Sequence, residues 1–280
     1  MTSEVSFVDD SVELAHFAMI KKIRDLAVAN GWTLLRFDDS GTDHEVILMG
    51  PGYTGTEEIY VGFRTYQSIG ADYYNLLAGA FTGYVSGNSF DTQPNARLSG
   101  VPAHNQRIDY WLTVNPQRIA LGMKVGTPVY EHAYVGKAFA NGRPTQYPYP
   151  LVCAGMLTGA AATRFSDTAH QMPYKGSNAR LGLLFNSGWI QPEAWPWNAL
   201  YITSASGPNQ IRPAVTNYPT LKVQLLNASG MYGWLDGIEM IPGFNNVVEN
   251  TFTRDGDTWV VLQDVSRTGF NDYIAMRLDS

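Results

Sequence analysis

Five histidines, one cysteine and a scatter of carboxylates are the residues of this chain equipped for more than packing. His16, His44, His104, His132 and His170 stand too far apart for any two to ligate a metal at the short spacing of a local zinc pair. A metal site would therefore have to be gathered from distant loops. Cys153 has no second cysteine for a disulfide or a thiolate cage, and Leu151, Val152, Ala154 and Gly155 around it describe a small buried hydrophobe. No serine occupies a G-x-S-x-G elbow, and no base lies near Cys153 in sequence. Asp236, Glu239 and Glu249 are the carboxylates that a glycosidase mechanism would recruit as a pair. That chemistry needs two of them facing one cleft, which spacing alone does not supply.

Gly50-Pro51-Gly52-Tyr53-Thr54-Gly55 matches a dinucleotide-binding fingerprint, with Asp72 in the place of the ribose-binding acid. The physics of that motif requires a helix to start directly after it and point its N-terminus at a pyrophosphate. Residues 59–66 instead alternate, with Ile59, Val61, Phe63 and Thr65 on one side and Tyr60, Arg64 and Tyr66 on the other. The expectation is a glycine-rich turn between antiparallel strands. Asp255 and Asp257 open like a calcium loop but lack its later ligands, so a hairpin turn is expected there. Two aromatic–proline runs, Gln146-Tyr147-Pro148-Tyr149-Pro150 and Glu193-Ala194-Trp195-Pro196-Trp197, are the most unusual local features. Tyr147, Tyr149, Trp195 and Trp197 are the candidate interaction residues, with three roles open: covering the core, anchoring a subunit contact, or stacking on sugar.

The elements that must position these groups are mostly strands. One helix is expected over residues 12–29, with Asp10 and Glu13 as a capping box and Asn30-Gly31 as its stop. Leu14, Phe17, Ala18, Ile23, Leu26 and Ala27 form its apolar stripe. Strands are expected at 32–37, 45–49, 59–66, 110–114, 119–125, 221–226, 234–241, 258–264 and 273–278. Asn115-Pro116-Gln117-Arg118 and Asp255-Gly256 mark hairpin turns. Residues 141–220 hold most of the prolines among large aromatics and read as packed loops carrying short strands. The fold class expected is mainly β, with antiparallel sandwich or barrel elements and one N-terminal helix packed on a sheet. Residues 1–280 are read as one structural unit. A subdivision would give a helix and β-meander over 1–140, then proline- and aromatic-rich loops and C-terminal hairpins over 141–280.

Composition limits the partners. Charged residues make up 16% of the 280, well under the usual quarter, while aromatics reach 12%. Either a large aromatic core or surfaces covered by other subunits would account for that. A net charge of −6, only six lysines and no basic run speak against nucleic acid as a partner. The longest uncharged apolar stretch, residues 151–163, is shorter than the roughly 20 residues a bilayer needs, so no membrane partner is expected. The first ten residues lack a basic region followed by an apolar run, and no signal peptide is expected. No cofactor is expected either.

Three segments resemble virion structural proteins of tailed bacteriophages. The first is Gly50-Pro51-Gly52-Tyr53-Thr54-Gly55-Thr56-Glu57-Glu58-Ile59-Tyr60-Val61-Gly62-Phe63-Arg64-Thr65-Tyr66, followed by Ala71-Asp72-Tyr73-Tyr74-Asn75 and Phe81-Thr82-Gly83-Tyr84. The second runs from Tyr110-Trp111-Leu112-Thr113-Val114-Asn115 through Lys124-Val125 to Gln146-Tyr147-Pro148-Tyr149-Pro150-Leu151 and Arg164-Phe165-Ser166-Asp167. The third joins Gly233-Trp234-Leu235-Asp236-Gly237-Ile238, Gly243-Phe244 and Glu249-Asn250 to Gln263-Asp264-Val265-Ser266-Arg267-Thr268-Gly269 and Asp272-Tyr273. They keep their order over most of the chain. The resemblance implies a non-enzymatic subunit of the tail tip or baseplate, made in the host cytoplasm and ending in the virion. Its partners would be copies of itself, in a symmetric homo-oligomer, and other virion proteins. It carries no catalytic residues across. The alternatives are a receptor- or carbohydrate-binding module of the tail, a neck or capsid accessory protein, or, less favoured, a cell-wall glycosidase.

Overall fold

The computed structural model describes residues 2–141, 150–177, 179–185, 188–197, 220–243 and 246–279. The chain opens with strand β1 (Ser3–Asp9) and α-helix α1 (Ala15–Ala29). A meander follows: β2 (Thr33–Asp38), β3 (Glu45–Gly50), β4 (Ile59–Ser68), β5 (Tyr73–Phe81) and β6 (Arg97–Ala103). A second meander holds β7 (Arg107–Asn115), β8 (Arg118–Gly126) and β9 (Val129–Lys137). Short strands come next, β10 (Phe139–Ala140), β11 (Leu151–Ala154), β12 (Gly176–Ser177), β13 (Leu181–Phe185), β14 (Gly188–Ile190) and β15 (Glu193–Trp195). The last are β16 (Leu221–Asn227), β17 (Gly230–Met240), β18 (Thr251–Arg254), β19 (Asp257–Gln263) and β20 (Tyr273–Leu278).

These strands form three sheets, antiparallel throughout. The first runs β1-β7-β8-β9-β11-β13-β14, the second β12-β15-β16-β17-β20-β19-β18 with β10 on β17, and the third is the consecutive meander β2-β3-β4-β5-β6. The mainly β class is as expected, and the first sheet draws strands from both sides of residue 140. It is also the middle layer. Helix α1 packs on β1 and β7 and on β3 and β4, while β4, β5 and β6 meet β9 and β11. On the opposite face the second sheet lies against it, with Leu262 pressed so close to Gly122 that a Cβ there would collide.

Local chemistry explains the elements. Asn115 and Arg118 pair across the Pro116–Gln117 turn, and Arg254 and Asp257 pair across Asp255-Gly256, both turn residues having positive φ. In β4 the expected inward set Ile59, Val61, Phe63 and Thr65 is buried completely. The glycine-rich segment joins β3 to β4, which pair antiparallel, so no helix stands ready to receive a phosphate. Helix α1 departs from expectation at its start. It begins at Ala15 with no side-chain cap, because β1 continues to Asp9 and the Asp9 carboxylate turns the chain by accepting from the Ser11 backbone. Glu13 reaches forward to Lys21 at 2.9 Å, and the Asn105 carbonyl accepts from the Ala15 N–H. The capping box over Asp10 and Glu13 is therefore absent, and the buried stripe is Ala15, His16, Met19, Ile20, Ile23, Leu26 and Ala27. The end is as read: Gly31 sits at φ +87° and its N–H reaches the Val28 carbonyl.

Two buried ionic clusters cross-link the layers. Arg118, fully buried on β8, donates to the Thr113 hydroxyl, to the Asp236 carbonyl at 3.1 Å and to the Asp279 carboxylate at 2.5 Å. The Asp236 carboxylate accepts from Asn115 (2.7 Å), Arg277 (2.8 Å) and Tyr53 (3.2 Å). Farther along, the Asp264 carboxylate accepts from Lys175 and the Met172 backbone and forms an ion pair with Arg267, and Lys175 also pairs with Asp272. Removing one partner of a buried pair strands the other charge, at a cost of about 3–5 kcal/mol. Asp236→Ala is expected to lower unfolding free energy by about that amount in urea titrations. A loss under about 1 kcal/mol would show that the cluster is not what joins the sheets.

Candidate interaction surface

A strand at a sheet edge presents unpaired N–H and C=O groups, and folds usually blunt such edges with bulges, proline, short length or a cover. Among the described residues that rule holds at every sheet edge except one. β2 carries a bulge between Leu34 and Arg36. β6 contains Pro102, and its Gly100 N–H is taken by the Gly159 carbonyl at 2.8 Å. β12, β14 and β18 span two, three and four residues. β1 has seven residues, Ser-Glu-Val-Ser-Phe-Val-Asp, with an unbroken register on β7 and neither glycine nor proline.

Pairing parity shows what this edge offers. The Val114 N–H donates to the Thr2 carbonyl at 2.7 Å, and the register continues from Ser3–Thr113 to Asp9–Arg107. Even-numbered residues of β1 therefore exchange backbone bonds with β7, and Ser3, Val5, Phe7 and Asp9 turn theirs to the open side. Val5 is 55% and Phe7 47% exposed, and Ser6 between them is exposed as well. Three consecutive exposed residues in mid-strand require that the edge and both flanks be accessible.

Beside the edge an open cavity of about 320 Å³ is lined by Val5, Phe7, Asp109, Trp111, Lys124 and Glu249 among others. A smaller one of about 190 Å³ continues from Asp109 and Lys124 past Arg107 to His104 and Thr127. Its walls are fixed by their own contacts. Lys124 meets Glu249 at 2.7 Å, and the Tyr130 hydroxyl donates to the same carboxylate. Burial opposes the charge on Glu249, but the hydrogen bonds from Lys124 and Tyr130 prevail and hold its carboxyl below the usual range. Arg107 pairs with Asp109 at 2.8 Å and lies 4.1 Å above the Phe7 ring. An apolar floor, a charged rim and a row of free backbone groups together suit an extended polypeptide.

Of the groups singled out for chemistry, Glu249 and His104 line these cavities and the others lie elsewhere, each with a partner. His16 meets Gln67 at 2.8 Å, His44 stacks on Phe17, His104 lies against Phe165, His132 reaches the Gln263 carbonyl and His170 meets Glu131 at 2.7 Å. No three His, Cys, Asp or Glu converge as metal ligands among the described residues. Cys153 is buried beside the Ala78 carbonyl, and burial pushes its thiol up to about 12. Asp236, Glu239 and Glu249 each pair with a different cation: Arg277, Arg254 and Lys124. Tyr147 and Tyr149 lie outside the described residues. Trp195 is half-buried on β15. Trp197 is buried and donates its indole N–H to the Asn271 carbonyl at 2.8 Å. The sequence marks Val5 and Phe7 only weakly, as two apolar residues two apart beside Val8, a short strand signal.

No protein-family model matches this chain, and no curated protein matches it.

The buried titratable groups set a pH dependence. Burial, partly offset by the Gln67 hydrogen bond, lowers His16 to about 4 from 6.5. Its contribution to stability is complete above the unfolded value and is lost as pH falls through about 4. Burial raises Glu131 to about 7 from 4.5 against the pull of His170. That contribution is complete below pH 4.5 and is lost as pH rises through about 7. Between 4.5 and 6.5 the two slopes oppose each other. In urea titrations across that interval Glu131→Gln should make stability climb more steeply with pH, and His16→Leu should flatten the climb or reverse it. Identical slopes in the parent and both variants would contradict this assignment.

Proposed function

We propose that this chain is a structural subunit of a tailed bacteriophage particle, placed in the tail tip or baseplate and acting through protein–protein contacts. The observation that carries the reading is β1: a seven-residue edge without bulge or proline, with Val5 and Phe7 exposed beside an open groove. Left uncovered, such an edge recruits other strands, so a protein that keeps one has a use for it. The resemblance to virion proteins supports the same reading, since its segments keep their order through β3–β5, β7–β8 and β17–β20. So does the disposal of the charged groups, which spend their chemistry on each other in the interior. The subunit is made in the host cytoplasm, joins copies of itself and other virion proteins, and performs no turnover.

Quantitative mass spectrometry of purified particles from the phage that encodes the chain is the direct test. The expected result is a fixed copy number per particle, in a multiple set by tail symmetry. Absence from finished particles, or turnover of a peptidoglycan or polysaccharide substrate by the purified chain, overturns the proposal.

A further inference from the structure

We infer that β1 pairs with β1 of a second copy of this chain, antiparallel, about a two-fold axis through Ser6. The inference rests on the assembly reading and adds the partner and the register. Three independent features of the strand agree on it.

The first is parity. In an antiparallel ladder, hydrogen-bonded pairs form only between residues whose N–H and C=O both face the partner strand. On β1 these are Ser3, Val5, Phe7 and Asp9, as the Val114-to-Thr2 bond and the β7 register require. A two-fold at Ser6 sets Val5 opposite Phe7 of the second copy and Ser3 opposite Asp9, so every such pair joins two outward-facing residues. It also uses the full strand from Ser3 to Asp9, because Ser6 is its midpoint. Centring on Val5 or Phe7 keeps parity and loses overlap at both ends.

The second is the apolar pattern. Val5 and Phe7 flank Ser6 symmetrically and are the exposed apolar residues of the strand. The two-fold lays Phe7 of each copy beside Val5 of the other, next to Trp111 and over the groove that Val5 helps to line. Knob and recess are then the same on both copies, which is what an isologous contact needs. The third is charge. Glu4 and Asp9 come opposite Val8 and Ser3 of the second copy, so no carboxylate faces another across the new ladder. Glu4 is already matched by Lys22 at 3.3 Å and by the Tyr110 hydroxyl.

Seven residues at about 3.4 Å each make an edge about 24 Å long, which covers less than the roughly 800 Å² per partner of a standard interface. The contact is accordingly reversible in solution and gains strength by repetition in an assembly.

Cysteine trapping reads the register directly. Ser6 falls in a non-hydrogen-bonded pair, where Cα atoms approach to about 4.5 Å, inside disulfide range. Under oxidised glutathione, Ser6→Cys should become mostly a covalent dimer. The parent chain should not, since Cys153 is fully buried. Ser3→Cys and Asp9→Cys should each cross-link poorly alone and well when mixed. Phe7→Glu should raise the concentration for half-dimerisation tenfold or more by analytical ultracentrifugation. Cross-linking that peaks at Val5→Cys or Phe7→Cys overturns the register, and failure of all these variants to cross-link overturns the pairing. If they fail while the chain is present in particles, the assembly reading survives without this contact. If the dimer forms and the chain is absent from particles, the pairing survives and the phage reading falls.

Discussion

The architecture depends on a guanidinium with no access to water. Arg118 is held inside the protein at the start of β8, and a charge there is tolerable only if its donors are all met. They are met from separate parts of the chain: Thr113 on β7, the Asp236 backbone on β17, and Asp279 just past β20. Each acceptor must therefore arrive within hydrogen-bond reach, which fixes how the second sheet sits on the first. Two glycines make room. A Cβ on Gly237 would stand 2.6 Å from the Arg118 guanidinium, and one on Gly136 would run into the backbone of Gln117 and Arg118. Both glycines have positive φ, so shape and conformation select the same residue. The seating of the second sheet on the first and the placement of Asp236 both follow from satisfying one buried side chain.

With its middle committed in this way, the first sheet has β1 and β14 as its terminal strands. On one flank α1 ties down the even side of β1 through Val8 and the Glu4–Lys22 contact. On the other flank the second sheet's loop at Glu249 reaches across to Lys124 and Tyr130 and stops short of Val5. The groove is the gap left where that loop ends. It is a consequence of how far the second sheet extends over the first, so its walls are rigid while its mouth is open.

Much of this was legible and some was not, for identifiable reasons. The hairpins at Asn115–Arg118 and Asp255-Gly256, the strand at 59–66 and the C-terminal strands announce themselves by turn chemistry and alternation, which are local properties. The helix stop was local as well, whereas its start was not: Asp10 and Glu13 form a plausible capping box, but β1 claims the preceding residues through pairing with a strand about a hundred positions away. β1 itself is not legible in the sequence, because its solvent-side apolar residues and polar neighbours lack the inward pattern that marks most strands. The candidate surface could not have been read at all without the register, since hydrogen-bond parity belongs to a pair of strands and not to either sequence.

The low charge content takes on a different meaning once the interior is known. Composition left two explanations for scarce charge and abundant aromatics, a large aromatic core or covered surfaces. A large share of the aromatics goes to the first: Trp32, Phe63, Phe81, Phe90, Tyr110, Trp111, Tyr130, Tyr134, Tyr174 and Trp259 are all buried. The charges divide between interior and surface. Arg118, Glu131, Asp236, Glu239, Asp264 and Asp272 are withdrawn into the interior, where each is paired with an opposite partner. Surface charge, lysine above all, is what ordinarily keeps strand edges apart. On β1 it is missing from the solvent-facing positions between Ser3 and Asp9, where valine and phenylalanine stand instead. Ionic groups thus cross-link the interior, while the exposed middle of β1, Val5 to Phe7, carries none. The chain is cross-linked within itself and open along one strand edge.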